Sequence, residues 1–557
     1  MTGLLDMIST GRAGRYFRTI AHLKPKQILA RAVRLAKGAG WRLCPRYLPR
    51  RLARRALDLS PLRWDSPALR RFADLRREEA SRREADVQSM VDNIFTLAGR
   101  EYSFDRAVNW QREDVKEADP LAGFELHYQQ YLEDLAVAWA ESGRPQYRDR
   151  WRVLVESWME QNPPRGARFS RFSWSPYVIS ERVRNWLSSA SWLKDHLPGE
   201  TRKRVERSAA RQVVFLLDNL EYELDGNHLW QNLCGLAVAA SAFDGPRAGA
   251  VSQKALARLA DVAEEQVLSD GMHCERSYWY HAKCLRDLLD VLTAIRPPDR
   301  CRPDCRAGEP TARLQQAARR MADCLERTLT DLAELPLLND GERVSPDYAR
   351  WLVSKSRVHA GAAASGGTIP REASGYITGQ VGPWAAVFDV GRPGPGHQMG
   401  HAHADHLTFE LWHSGRKLIC DSGNATYTAG ESRMWYRGTA AHNTVRLDGE
   451  DSMEVWNSFR VGRRPTRHVC DVRTESEDAA LYYGEHDGYA HLPGRPVHRR
   501  LLWLTPDMVV VRDRMTGHVE HRIESMLHLH PRADVEEART GDSSGEKPGF
   551  TGSMMPV

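Results

Sequence analysis

The chain has 557 residues, too many for one ordinary core, and its 41% hydrophobic and 27% charged content excludes a disordered protein. No apolar run approaches a membrane span and the N-terminus lacks an apolar signal core, so the sequence predicts a cytoplasmic protein, or a periplasmic one if an export signal precedes this chain. The formal charge of +6 hides an asymmetry: residues 1–60 hold 14 Lys/Arg against Asp6 and Asp58, a balance of +12, so the remainder sums to −6.

The basic leader, residues 1–70, contains "RYFRTIAHLKPKQILARAVRLAKGAGWR", which reads as one or two amphipathic helices. Such a face packs on a neighbouring domain or meets a membrane surface or polyanion. A nucleic-acid partner has no support, because the basic excess sits in one terminal segment with no binding motif.

Residues 71–365 repeat apolar positions at three and four in helix-length segments, such as "LHYQQYLEDLAVAWAESG" and "HLWQNLCGLAVAASAF". Glycine, proline or Asn/Asp breaks separate most of them, and no strand is expected between. This predicts stacked helical hairpins: a solenoid, a bundle or a helical toroid. Of nine cysteines only Cys301 and Cys305 form a tight pair, read as a loop pair; the odd, scattered set predicts reduced thiols.

Near Gly375 the texture changes to alternating β-branched and aromatic segments separated by turns such as Asp448-Gly449. Residues 366–535 therefore read as an antiparallel β domain, most simply a sandwich. Residues 536–557 are Gly/Ser-rich and read as a flexible tail.

Three stretches carry candidate chemistry. In "LDGNHLWQNLCGLAVAA" Asp225-Gly226 makes a turn; Asn227 reads structurally as an N-cap, whereas His228 has no comparable structural reason to be there. In "DGMHCERSYWYHAKCLRDLLDVL" Ser277 caps a helix whose first turn carries Tyr280. In "GHAHADHLTFELW" His401, His403 and Asp405 share a parity if extended, with Asp421 and His442 at later strand ends. Two imidazoles and a carboxylate from neighbouring strands form a set that zinc accepts. His397, His406 and His413 read as polar loop or strand-face positions.

In order and separation these stretches, with "NPPRGARFSRFSWSPYVISERVRNW" upstream, resemble the heparinase II/III-like polysaccharide lyases and related alginate lyases over roughly residues 90–530. The resemblance implies an incomplete (α/α) helical toroid followed by an antiparallel β-sandwich, with the active cleft between them. It also implies β-elimination of a uronic-acid-containing acidic polysaccharide. Asn227 and His228 match the residues that neutralise the substrate carboxylate, Tyr280 the helical tyrosine and His401 the first histidine of the His-x-His motif. Tyr280 serves as base and acid if both groups lie on one side of the ring, and His401 is the base with Tyr280 the acid if they lie on opposite sides. His403, Asp421 and His442 match the family's metal site, with Zn2+ in a mainly structural role. Arg276 and Arg437 are candidates for carboxylate or sulfate contacts, and Tyr427 and Tyr436 for the cleft lining. Two rivals stand beside this reading. One is a glycoside hydrolase using Glu275 with Asp405 or Glu410; the other is a non-catalytic glycan-binding protein of exopolysaccharide or capsule assembly.

Overall fold

The computed structural model describes residues 12–164, 170–295, 308–360, 373–476 and 478–533. The Cys301/Cys305 pair and the 536–557 tail lie outside the described residues. Helices occupy most of the chain to Ala360, and antiparallel strands dominate from Tyr376 onward.

The helical half encloses one continuous apolar core built around buried Trp110, Trp151, Trp158, Trp186 and Trp230. Its helices start where the sequence supplies caps. Ser175 accepts from the Val178 amide with Pro176 at the first helical position, opening Pro176–Leu193. This helix is buried almost along its whole length, packed between Tyr131–Ser142 and Gly226–Ser241. One expectation fails: a hairpin, Ile94–Leu97 with Arg100–Ser103, interrupts the helices. Ala98 and Gly99, with φ of 47° and 72°, supply the two left-handed positions that a tight hairpin turn needs.

Charge is also buried within this half. Arg184 reaches Asp287 at 2.7 Å and Asp290 at 2.8 Å, and Arg76 reaches Glu133 at 2.9 Å, all fully or nearly fully excluded from solvent. The network cross-links helices Pro67–Ala80, Tyr131–Ser142, Pro176–Leu193 and Tyr278–Ala294.

The β half holds two four-stranded antiparallel sheets. One runs in the order Tyr376–Val381, Trp384–Asp389, Phe409–His413, Arg416–Ile419. The other runs His468–Glu475, Ala480–His486, Val497–Leu504, Val509–Thr516. Ile377, Phe388 and Phe409 of the first meet Tyr482, Leu502 and Leu504 of the second in a shared core, so the sheets form a sandwich.

Alternation then gives the first sheet a second task. Tyr376 and Thr378 point the other way, toward the helices. Tyr376 stacks on Tyr278, and Thr378 donates to Asp331 at the end of helix Gly308–Leu332. One strand therefore serves both the sandwich core and the seam between the halves.

Candidate active site

The site lies on that seam, with residues from both halves. Helix Gly226–Ser241 follows a turn in which Asp225 and Gly226 have φ of 62° and 51°. A side chain on Gly226 would place its Cβ 2.0 Å from Glu275 Oε1, so glycine is what admits Glu275 here. Glu275 in turn accepts from the Asn227 amide N at 3.0 Å and from Asn227 Nδ2 at 2.7 Å. The N-cap reading of Asn227 fails, since Asp225 occupies that position and makes no side-chain cap. The Asn227 side chain is instead held across the seam, its Nδ2 3.2 Å from His401 Nε2.

His401 sits on a loop of the β half pinned from below. Its backbone carbonyl accepts from the Asp340 amide at 3.1 Å, and Asn339 Oδ1 accepts from the His403 amide at 3.0 Å. Arg437, fully buried, donates to the carbonyls of Met399 and Ala402 in the same loop. Asp340 is the common anchor: one oxygen meets His401 Nδ1 at 2.7 Å, the other meets His403 Nε2 at 2.7 Å, and Arg433 binds both oxygens. Burial would raise the Asp340 carboxyl, but Arg433 and the two histidines outweigh it and hold it well below the usual range. A permanent carboxylate at Nδ1 fixes the proton there and leaves the His401 Nε2 lone pair free to accept.

Tyr280 completes the group. Ser277 caps its helix by accepting from the Tyr280 amide. The Tyr280 ring lies 4.0 Å from that of His401, and its hydroxyl is 2.9 Å from the Tyr427 hydroxyl. Burial first, then the Asp340 charge, raise the Tyr280 phenol well above its ordinary value, so it stays protonated. Tyr427 stacks with Phe459 at 5.9 Å, and Phe459 is 48% exposed, which forms an aromatic wall beside His401. His228 is half-buried against Tyr177 and uses Nδ1 toward Glu221 at 3.3 Å.

Several expected site residues lie elsewhere. Arg276 is buried, with φ of 56°, and burial lowers its guanidinium despite the Asp389 charge. Its Nε and one Nη lie buried without a hydrogen-bond partner, whereas Arg437 is a loop clamp for the reason given above. Tyr436 packs edge-on against Trp435, with ring centroids 5.0 Å apart. His406 is not a polar loop residue but is buried, bonded to Ser452 at 2.8 Å. The carboxylates of the hydrolase rival are also buried: Glu275 on Asn227, Asp405 at 0% exposure, and Glu410 on Lys417 and the Asp421 amide.

The three candidate metal ligands cluster beneath His401. His442 Nδ1 meets Asp421 Oδ2 at 2.8 Å, and the His403 and His442 rings lie 5.3 Å apart. His403 Nδ1, His442 Nε2 and both Asp405 oxygens are buried without a hydrogen-bond partner. Buried polar atoms left this way are costly and a cation would satisfy them. The free atoms are those of His403, His442 and Asp405, whereas Asp421 already accepts from the Gly423 amide and meets His442 Nδ1. A different group, Asp225, Glu265 and His397, brings three ligand atoms within 4.8 Å of one another. Lys24 and Lys26 already neutralise it, each 3.5 Å from Asp225.

Two family descriptions match the chain: heparinase II/III N-terminus over residues 53–355 and heparinase II/III-like, C-terminal, over residues 368–546. The chain belongs to the heparinase II/III family. It is 24% identical to a heparin-sulfate lyase of Bacteroides thetaiotaomicron, over 84% of this chain and 70% of that protein. It is 23% identical to one of Pedobacter heparinus, over 80% and 68%. In fold it matches a crystal structure of heparinase III with a TM-score of 0.61 at 20% identity, over 84% of this chain and 80% of the other. A mutant heparan sulfate lyase of Pedobacter heparinus gives 0.53 at 18% identity, over 85% and 81%. The shared architecture of this heparinase II/III family member is the helical toroid followed by the sandwich.

Proposed function

We propose that this chain is a polysaccharide lyase that cleaves a uronic-acid-containing glycosaminoglycan by β-elimination. Membership of the family, and relatives named heparin-sulfate lyases, support the substrate class. The observation that carries the roles is the meeting of Asn227, His401 and Tyr280 at one point of the seam.

In this reading the uronate carboxylate is held by Asn227 and His228. Asn227 Nδ2 has two hydrogens; Glu275 takes one and the other turns from His401 to the substrate. Donors to the carboxylate spread the charge that develops as the adjacent C5 proton leaves. His401 Nε2 takes that proton. The freed electron pair forms the C4–C5 double bond, the C4–O4 bond breaks, and O4 takes a proton from the Tyr280 hydroxyl. Tyr280 stays protonated and so has a proton to give, and the Asp340-fixed tautomer suits His401 to the base role. Tyr427 and Phe459 offer a ring face for the sugar.

We further propose that His403, Asp421 and His442 hold a Zn2+ ion, which would tie the strands beneath the loop of His401.

The test is incubation with heparan-type, chondroitin-type, hyaluronan and alginate polymers, following ultraviolet absorbance of the unsaturated uronate. Tyr280→Phe should lower the rate by about 10²–10⁴-fold while the protein still folds. New reducing ends without absorbance would overturn the lyase reading in favour of hydrolysis.

A further inference from the structure

The first two of the basic leader's three helices are built inside out, whereas the third buries Leu48, Leu52 and Ala56 in the ordinary way. In chain order they are α1 (Arg12–Ile20), α2 (Pro25–Leu43) and α3 (Tyr47–Ala56). On α2 the polar side faces the protein: Gln27 is buried and donates to the His397 carbonyl, Arg34 pairs with Glu223, and Lys37 bonds the Asp218 carbonyl. α1 does the same, with Arg18 on Glu454 at 2.7 Å and Thr19 on the Val461 carbonyl at 2.9 Å. The leader thereby straps the toroid to the β half through polar contacts.

The opposite side of α2 is apolar and faces solvent. Ile28, Leu29, Val33, Leu35 and Leu43 are 49%, 66%, 45%, 71% and 82% exposed, with exposed Ala32, Ala36 and Ala39 between them. The recurrence at three and four places them on one arc of the helix. Phe17 and Ile20 of α1 extend the surface at 75% and 47% exposure. A helix that turns its apolar arc outward while Arg34 and Lys37 bind the protein leaves a contiguous patch that calls for a covering partner.

The charges around this patch select the partner. Arg31, Arg42, Arg46 and Arg50 are exposed and have no ion-pair partner among the described residues. An acidic glycan would meet the arginines but gains nothing from bare leucine and isoleucine. A second copy would set one leader of charge +12 against another. An anionic bilayer meets both demands, with aliphatic side chains entering the acyl boundary and arginines at the headgroups. No described helix is long and apolar enough to cross a membrane, so the contact is interfacial. We infer that the outer face of α1 and α2 docks this protein flat on an anionic lipid surface, with the toroid–sandwich seam strapped behind it.

The test is flotation of the full chain with vesicles of phosphatidylcholine alone or mixed with phosphatidylglycerol, at low and high salt. Binding is expected only to the mixed vesicles, and salt should weaken it. The double change Leu29→Gln with Leu35→Gln should abolish it, and Arg31→Gln with Arg42→Gln should weaken it at least about tenfold. Melting temperature and lyase rate should not move in either variant, since these side chains bind nothing within the fold. Failure of the native chain to float with anionic vesicles would overturn the inference. So would a dimer that the leucine pair dissociates, or glycan binding that the leucine pair abolishes.

Discussion

Replacing Asp340 with Asn keeps the shape of a fully buried side chain and removes its charge. Four hydrogen bonds converge there, from His401, His403 and both Arg433 nitrogens. Asparagine offers one accepting oxygen in place of two, and its amide hydrogens oppose whichever donors they face. Arg433 is then a buried cation without its carboxylate, a loss of about 3–5 kcal/mol when one partner of a buried pair is removed. That is a large share of the ~5–15 kcal/mol typical of a folded protein, so the melting temperature should fall clearly. Activity, measured below the new melting point, should fall as well. The His401 Nδ1 proton loses its fixed acceptor, and the base lone pair at Nε2 is no longer guaranteed. The expected loss approaches the ~10²–10⁴-fold of a displaced base and appears in kcat, with KM little changed because Asp340 does not touch substrate. Adding Arg433→Met to Asp340→Asn should return stability, since the unpaired charge is gone, without returning kcat. A kcat within about threefold of native in Asp340→Asn would refute the tautomer argument.

Glu79 is held at about 2 against 4.5 for the free side chain; burial opposes this, and Arg286 and Arg76 outweigh it. A depressed carboxyl stabilises the fold above its unfolded value and loses that contribution as pH falls. Glu79→Gln should therefore cost roughly 3 kcal/mol at neutral pH, and the gap in denaturant titrations should close as the pH drops from about 4.5 toward 2. A gap independent of pH would contradict this. At the sandwich core, a Cβ on Gly379 would lie 1.9 Å from the Tyr482 hydroxyl oxygen, so Gly379→Ala should lose about 1–3 kcal/mol. Tyr482→Phe in the same chain should recover part of that loss in thermal melts; no recovery would place the strain elsewhere. For the proposed metal, elemental analysis should find about one zinc per chain, and His442→Ala should lower both zinc content and melting temperature. Native protein free of zinc with an unchanged melt after chelation would dismiss the ion.

The sequence disclosed the helical half through its three-and-four periodicity and the β half through the change of texture at Gly375, because both signals are local. Asn227, Tyr280 and His401 were legible for a different reason: they sit in motifs whose order and spacing resemble a family. Asp340 was not. It lies in "LLNDGE", a loop with no periodicity, some sixty residues from His401, and only the tertiary fold makes it the anchor of two histidines. Arg433 and Arg437 show the same limit. They stand one helical turn apart in Glu431–Arg437, and nothing in the spacing tells a carboxylate clamp from a loop clamp. The leader's amphipathicity was plain, but periodicity does not say which arc faces inward. Here the charged arc does, since Glu223, Glu454 and the Asp218 backbone carbonyl wait on the surface it covers.

Asp340 also links the two chemistries assigned to the histidine stretch. Its two oxygens address His401 and His403 separately, so the proposed base and the first proposed metal ligand share one carboxylate across a single intervening residue, Ala402. A shift of His403 would pull on Asp340 and through it on the Nδ1 proton of His401. The coupling also runs through the backbone, because Asn339 holds the His403 amide and the Asp340 amide holds the His401 carbonyl. On this geometry a structural ion would be felt as a change in kcat without ever meeting the substrate. Zinc removal should then act through the same step as Asp340→Asn. Loss of the ion in the Asp340→Asn background should therefore cost much less in kcat than the same loss in the native chain, as a double-mutant cycle reads it.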